Sequence, residues 1–231
     1  MACCAWFVLL LLSTVLCADS RTDSTSGTLK DNSDKEHDVV CAVVHYEKDN
    51  VPVCFSNQFL VLAARDTHIN VDPTLTDIRV ESDALFEHPF SVITGNRSFT
   101  LDDDQVDNLR SYLLQGGFLL ASAGCGSEEW NESFASTLRA MFPDIEPRPL
   151  ADDHPVYDLI YDVSRSNYKL GGPKRPELWA LELDGRTAVI WSPEGVNDTD
   201  TAGPGCCCCG GNEVESAGRL NVNILAYALT H

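Results

Sequence analysis

Two kinds of apolar pattern alternate along most of the chain. Short runs of consecutive apolar and often β-branched residues predict strands that are buried on both faces, as in a parallel sheet. These runs lie at 39–44, 78–81, 90–94 and 118–122. Elsewhere, apolar residues recur every three or four positions, which predicts helices at 53–65 and from about 102, 128 and 217.

The two middle helices carry the clearest boundary signals. Thr100 and Asp102 are suitable amino-terminal caps for the first of them, and the Gly116-Gly117 pair stops it. An apolar stripe from Trp130 to Met141 predicts the second, which Pro143 ends. A stripe at helical spacing is typical of core packing rather than of a cofactor site.

The order of these elements predicts the fold class. Strand, helix and strand with short connections favour right-handed crossovers and an α/β domain, a parallel sheet with helices on both faces. Later in the chain, segments 178–183 and 187–192 flank Asp184-Gly185-Arg186, which is typical of a β-hairpin. We therefore expect an antiparallel addition at one edge of the sheet, within one domain spanning 39–231.

The amino-terminal segment has a different character. Residues 1–18 contain no charged side chain and carry a short apolar run followed by small residues, which predicts a signal peptide cleaved after Ala18. A lipidated Cys17 is the alternative that we weighed. Residues 19–38 are polar and predict a disordered linker. The chain is thus expected to be exported, to the periplasm, the cell envelope or the medium, with no transmembrane span once the signal is removed.

The charge balance narrows the range of partners. The chain has 16 basic and 35 acidic residues, a formal net charge of -19. Such a chain repels phosphate backbones and anionic membrane surfaces, so nucleic acid is excluded as a partner. The expected partner is a protein or a small molecule of the cell envelope.

Several short motifs between residues 85 and 229 carry a family resemblance. They are Leu85-Phe86-Glu87-His88-Pro89-Phe90, Thr94-Gly95, Leu109-Arg110-Ser111-Tyr112-Leu113, Gly116-Gly117-Phe118-Leu119-Leu120, Met141-Phe142-Pro143, Asp153-His154-Pro155-Val156, Asp184-Gly185-Arg186-Thr187-Ala188-Val189 and Asn221-Val222-Asn223-Ile224-Leu225-Ala226-Tyr227-Ala228-Leu229. This set resembles the bacterial family catalogued as domain of unknown function 4159. The resemblance implies a flavodoxin-like sheet of the class I glutamine amidotransferase type, with no assigned activity.

Cys125 is the candidate nucleophile. It lies in Gly124-Cys125-Gly126, between a predicted strand and a predicted helix, where a helix amino end favours a thiolate and backbone amides can hold an oxyanion. The amidotransferase pattern, however, would put the reactive position nearer Ala123. A catalytic cysteine also needs a histidine base, and His45, His68, His88 and His154 are the candidates, with His231 at the end of the chain. His88 and His154 each also fit a loop-filling role before a proline.

Four consecutive cysteines, Cys206, Cys207, Cys208 and Cys209, lie between glycines. Adjacent side chains diverge, so this run does not fit a standard structural zinc pattern. Packed thiolates do suit a soft metal ion such as Cu(I), or Zn bound opportunistically. The alternative is disulfides among themselves or with Cys41, Cys54 or Cys125. We expect this run near Cys125, at the carboxyl end of the sheet.

Short polar motifs offer weaker candidates. Asp102-Asp103-Asp104 carries oxygen ligands for a hard cation, but acidic residues in a first helical turn are explained by the helix dipole. Asn197-Asp198-Thr199-Asp200 lacks the full spacing of a calcium loop. The tripeptides beginning at Asn96, Asn131 and Asn197 match the N-glycosylation acceptor.

These patterns lead to one preferred function and two alternatives. An export signal, an amidotransferase-like fold and the lack of a clear nucleophile, base and orienter together favour a non-catalytic binding or assembly module of the cell envelope. The first alternative is a cysteine-dependent hydrolase or amidotransferase-like enzyme that uses Cys125. The second is a soft-metal or redox protein that acts through residues 206–209.

Overall fold

The computed structural model describes residues 39–47, 54–168, 171–202 and 214–231. Within these ranges seven strands form one sheet: β1 (Val39–His45), β2 (Val71–Arg79), β3 (Phe90–Gly95), β4 (Phe118–Ala123), β5 (Arg148–Pro149), β6 (Trp179–Leu183) and β7 (Arg186–Ser192). Four α-helices accompany them: α1 (Gln58–Asp66), α2 (Asp103–Leu114), α3 (Glu128–Met141) and α4 (Ala217–Thr230). The signal peptide, the linker and the four-cysteine run predicted from the sequence lie outside the described residues.

The sheet is mostly parallel and has an antiparallel edge. Its strand order is β2-β1-β3-β4-β7-β6-β5. The first five strands in this order run parallel to their neighbours, whereas β6 and β5 run antiparallel. The predicted α/β class and the hairpin at the sheet edge are therefore confirmed, and the architecture is a flavodoxin-like α/β fold.

Each face of the sheet is covered by two helices. On one face, α2 and α3 pack Leu109, Leu113 and Phe134 into one apolar cluster with the strands. On the other face, α1 and α4 pack Phe59 and Ile224 into a second cluster. Because β3 and β4 supply apolar side chains to both clusters, their sequences are continuous hydrophobic runs rather than alternating ones.

The predicted start and end of α2 are observed. The Asp102 side chain accepts a hydrogen bond from the Gln105 amide at 2.9 Å, and the Gln105 side chain accepts one from the Asp102 amide at 3.1 Å. This capping box explains the acidic run at the helix start without a metal ion. Gly116, at a φ of 104°, then ends the helix in a left-handed turn that a side chain would strain.

Two elements differ from the prediction. Strand β2 begins at Val71 rather than at Ile78, and Pro73 falls where its register with β1 shifts, as is usual for proline in an edge strand. Exposed Thr and Asp side chains interrupt the apolar pattern in this strand, so the pattern predicts only its last residues. Helix α1 begins at Gln58, five residues later than expected. In the part of the chain that the structure describes, no helix is long and apolar enough to cross a membrane.

Candidate functional site

The strand order reverses between β1 and β3, because the chain passes from β1 to β2 on one side and then to β3 on the other. In open α/β sheets, ligands bind in the crevice at the carboxyl ends of the strands at such a point. The loops that follow β1, β3, β4 and β7 all leave the sheet at this edge. The carboxyl ends of these strands are therefore the expected position of a functional site.

Three buried polar side chains meet at the carboxyl ends of β3 and β4. The Ser122 hydroxyl donates a 2.5 Å hydrogen bond to the Asn197 side-chain oxygen. The Asn197 side-chain nitrogen donates to the Thr94 hydroxyl at 2.9 Å, and Thr94 donates to the Ser122 carbonyl oxygen at 2.7 Å. All three residues are at most 3% exposed. Each polar group is satisfied by another, as buried groups must be.

The same network holds the loop that follows β7. The Val196 amide donates to the Ser122 hydroxyl at 2.9 Å, and the Asn221 side chain on α4 donates to the Val196 carbonyl oxygen at 2.8 Å. The Ser56 amide donates to the Asn197 carbonyl oxygen at 2.9 Å. The loop thus lies against the carboxyl ends of β3 and β4.

Aromatic side chains fill the crevice beside β3. Trp130 donates from its ring nitrogen to the Tyr46 hydroxyl at 3.0 Å, and that hydroxyl donates to the Thr94 carbonyl oxygen at 3.3 Å. A Cβ at Gly95 would lie 2.0 Å from the Tyr46 oxygen, so only glycine fits there. Burial raises the pKa of Tyr46 to about 12, which keeps this hydroxyl a donor at neutral pH.

Cys125 lies where the sequence predicted, on the turn between β4 and α3. Its backbone is left-handed, with a φ of 58°, and its sulfur is in a disulfide. A disulfide sulfur has no thiolate with which to attack a carbonyl carbon. While it is oxidised, Cys125 therefore forms a covalent cross-link and cannot act as a nucleophile.

Two of the candidate bases, His88 and His154, lie at the amino ends of the strands, away from Cys125. His45 ends β1 at the carboxyl end, where its Nε2 atom is 2.5 Å from the Asp77 carboxylate. His88 precedes β3, and its Nδ1 atom is 3.0 Å from the Val40 carbonyl oxygen at the start of β1. The six residues of β3, spanning roughly 17 Å at about 3.3 Å per residue, separate it from the edge at which Cys125 lies. The structure does not bring His88 and Cys125 together.

His154 is equally remote from Cys125. Its ring lies 4.8 Å from that of Tyr227, whose hydroxyl is 3.3 Å from Thr187 near the amino end of β7. Its Nδ1 atom accepts a hydrogen bond from the Val156 amide at 3.3 Å, which caps a short 3-10 turn. Burial, and secondarily the charge of His231, lowers the pKa of His154. This arrangement gives His154 a structural role.

Two of the motifs that carry the family resemblance meet at the amino ends of the strands. The Tyr112 hydroxyl lies 2.8 Å from the His88 carbonyl oxygen and 3.0 Å from that of Phe118. Arg186, in the hairpin, donates to the carbonyl oxygens of Leu113 at 2.7 Å and Gly117 at 3.2 Å. These residues tie α2 to the starts of the strands, which gives Tyr112 and Arg186 a structural role.

The Asn223 side chain on α4 does the same for the segment that contains His154. Its oxygen accepts from the amides of Ile160 and Tyr161 at 3.1 and 2.9 Å. Its nitrogen donates to the carbonyl oxygens of Val156 and Tyr161 at 2.9 and 2.8 Å. With four bonds the amide is fully satisfied, which explains a buried asparagine in an apolar helix.

The described cysteines differ in oxidation state. Cys41 is free and fully buried, and burial, aided by the charge of Asp72, raises its pKa to about 12. Cys54 and Cys125 are both disulfide-bonded. Of the partners considered for the four-cysteine run, Cys41 is therefore excluded. The soft-metal prediction itself concerns residues outside the described ranges, and the described residues contain no group of three or more metal-binding side chains.

One open cleft was not predicted from the sequence. It lies beside the amino ends of α1 and α4 and has a volume of about 460 Å³. Its charged lining consists of Asp162, Asp198, Glu215, Arg165 and Arg219, and Leu62 and Val163 are apolar. The segments that form it are far apart in the chain and individually resemble ordinary polar loops, so no local signal marks it.

The fold and this network together define a class: a flavodoxin-like α/β protein in which buried polar side chains bond to one another at the carboxyl ends of β3 and β4. A family model described as a domain of unknown function (DUF4159) matches residues 40–229. The chain therefore belongs to that family, which confirms the resemblance inferred from its motifs.

Two other comparisons complete the picture. No protein of curated function matches the sequence. Among solved structures, alpha-L-fucosidase isoenzyme 2 from Paenibacillus thiaminolyticus aligns at 17% identity with a TM-score of 0.27. The alignment covers 64% of this chain and 22% of that enzyme. At this TM-score it carries no argument about activity.

Proposed function

We propose that this chain is an exported, non-catalytic binding or assembly module of the cell envelope. The observation that carries the proposal is the hydrogen-bonded network at the carboxyl ends of β3 and β4. Ser122, Asn197 and Thr94 satisfy one another there, so the usual catalytic position of an open α/β sheet offers no free polar group of theirs to a substrate.

The surroundings of Cys125 support the same conclusion. Its sulfur is in a disulfide, and His88 and His154 lie at the opposite edge of the sheet. Acyl-transfer chemistry needs a thiolate and a base within hydrogen-bond reach of each other. Disulfides also persist mainly in oxidising compartments, which agrees with an exported chain.

The enzymatic alternative retains one observation in its favour. Cys125 occupies a left-handed turn immediately before a helix, and reduction would leave its thiol near the amino end of α3. A helix amino end stabilises a thiolate. A hydrolase or amidotransferase-like activity is therefore to be tested on the reduced protein.

The redox or soft-metal alternative rests on residues 206–209 and is tested by Cu(I) and Zn titration of the reduced protein.

Thiol labelling combined with activity distinguishes the two main proposals. The reduced, folded protein is treated with iodoacetamide at about pH 5.5, where only low-pKa thiols react quickly. We expect slow, comparable labelling of Cys54 and Cys125 and no release of ammonia from glutamine. Rapid labelling confined to Cys125, with ammonia release that is lost in Cys125→Ser but retained in Cys54→Ser, would establish the enzyme instead.

Export is tested separately by the mass of the protein recovered from the envelope or the medium. Removal of residues 1–18 gives a chain that begins at Asp19. Recovery of the chain with Met1 in place would overturn the export part of the proposal.

A further inference from the structure

The cleft beside α1 and α4 has opposite charges on its walls. Asp198, Asp162 and Glu215 contribute carboxylates, and Arg165 and Arg219 contribute guanidinium groups. Leu62 and Val163 supply apolar surface between the polar groups. A volume of about 460 Å³ lies within the range typical of small-molecule sites.

Asp198 is held in the cleft by its own backbone and by its neighbours. Thr201 donates from its hydroxyl to the carboxylate at 2.5 Å, and that hydroxyl is 2.7 Å from the Ser56 hydroxyl. A Cβ at Gly218 would lie 2.8 Å from the carboxylate, so the absence of a side chain there leaves room for it. The carboxylate is thus fixed in position before any ligand arrives.

Within the described ranges, this carboxylate also has no cation paired with it. Among the residues that the structure describes, no cationic side chain forms an ion pair with Asp198, and burial is the first cause of its raised pKa. A half-buried carboxylate without a cation costs free energy that an ammonium group would recover.

The two arginines in the lining of the cleft make contacts that leave N–H donors available to a ligand. Arg219 packs its guanidinium over the Tyr161 ring at 5.5 Å, and Arg165 donates one hydrogen bond, to the Pro173 carbonyl oxygen at 2.8 Å. A guanidinium carries five N–H donors, so both retain donors for a carboxylate.

We infer that this cleft binds a small zwitterion, an amino acid or a dipeptide with free ends, through its ammonium group at Asp198 and its carboxylate at Arg165 and Arg219. The inference rests on the proposed binding function and names its ligand class. A neutral sugar would leave the Asp198 carboxylate and the two guanidinium groups without an oppositely charged partner. A simple anion would be repelled by the carboxylates in the lining of the cleft.

Calorimetric titration of the mature protein with alanyl-alanine tests this inference, with N-acetyl-alanyl-alanine amide, acetate, methylamine and glucose as comparison ligands. We expect saturable binding of the dipeptide at millimolar or lower concentrations and none of the comparison ligands at the same concentrations. Asp198→Asn keeps the shape and a partner for Thr201, and Arg219→Gln removes one cation. Each is expected to weaken binding at least about tenfold, as for loss of a charge-assisted hydrogen bond.

Asp107→Asn, on the opposite face of the sheet, makes the same change in net charge as Asp198→Asn and should leave binding unchanged. Absence of dipeptide binding, equal binding in Asp198→Asn, or binding of glucose alone would each overturn the inference. Dipeptide that binds and is also hydrolysed would leave the inference intact and refute the non-catalytic proposal, so the two failures are distinguishable.

Discussion

The Ser122 hydroxyl, at the end of β4, donates a 2.5 Å hydrogen bond to the side chain of Asn197, which lies 75 positions later in the chain. Neither residue is more than 2% exposed. Their contact fixes the loop after β7 over the crevice in which related folds bind ligands.

Removing this contact should destabilise the fold. In Asn197→Ala, the hydroxyls of Ser122 and Thr94 each lose one of their hydrogen-bond partners, and we expect the free energy of unfolding to fall by about 2–3 kcal/mol. Urea denaturation measures the change. Asn57→Ala is the matched control, because Asn57 is exposed and makes one hydrogen bond, to Pro73. Equal small losses in both variants would show that the network contributes little.

Arg186 should be important for stability although it lies at the surface edge of the sheet. Lysine keeps the charge but cannot reach the carbonyl oxygens of Leu113 and Gly117 together, so Arg186→Lys is expected to cost about 1–2 kcal/mol. Arg139→Lys, on the exposed surface of α3, should cost less than about 0.5 kcal/mol. Thermal unfolding of the two variants gives the comparison. A similar melting temperature for both would contradict the capping role.

The cysteines should separate by reactivity. Cys41 is buried and its pKa is raised to about 12, so the folded, unreduced protein should not react with iodoacetamide at that position. Denaturant without reductant should expose Cys41 to alkylation, whereas Cys54 and Cys125 should require a reductant. Peptide mass mapping provides the measurement. Alkylation of Cys125 before reduction would contradict its disulfide.

Stability should depend on pH through His154. Burial and the charge of His231 lower its pKa in the folded state, while Glu182 and Asp153 oppose this shift. A histidine with a lowered pKa contributes stability above its unfolded pKa of about 6.5, and that stability is lost as the pH falls.

We therefore expect His154→Gln to reduce the loss of stability between about pH 7.5 and about pH 5. The exposed His68, changed to Gln, serves as the control and should leave the slope unchanged. Denaturation midpoints across this pH range give the slopes. Parallel pH profiles for wild type and His154→Gln would refute the assignment.

Of the three glycosylation acceptor motifs, only the one at Asn96 should be compatible with the folded protein. Asn96 is exposed. Asn197 is buried and donates to Thr94, while Asn131 donates to the Pro193 carbonyl oxygen at 2.9 Å and accepts from Trp191 at 2.9 Å. A glycan on either of these nitrogens would displace internal hydrogen bonds.

Secretion from a eukaryotic host should thus give folded protein with at most one N-linked glycan, which is lost in Asn96→Gln. Intact mass before and after glycosidase treatment shows the number. Folded Asn96→Gln protein that still carries a glycan would contradict the assignment.

The sequence by itself determined the layered α/β architecture and the ends of its clearest helices, because these depend on local patterns. Continuous apolar runs identify strands covered on both faces, and Asp102 and Gly116 mark the boundaries of α2 through bonds within a single turn. The sequence predicted only the end of strand β2, because an edge strand can carry exposed polar residues and a proline.

Only the tertiary structure decided which polar residues meet. Asn197 and Thr94 are 103 positions apart, and their contact depends on the strand order, which hydrophobic periodicity does not encode. For the same reason the sequence could place Cys125 on a strand-to-helix turn but could not show that His88 and His154 lie at the opposite edge. The cleft at Asp198 likewise exists only after loops from distant parts of the chain pack together, since the burial of its carboxylate is a property of the assembled fold.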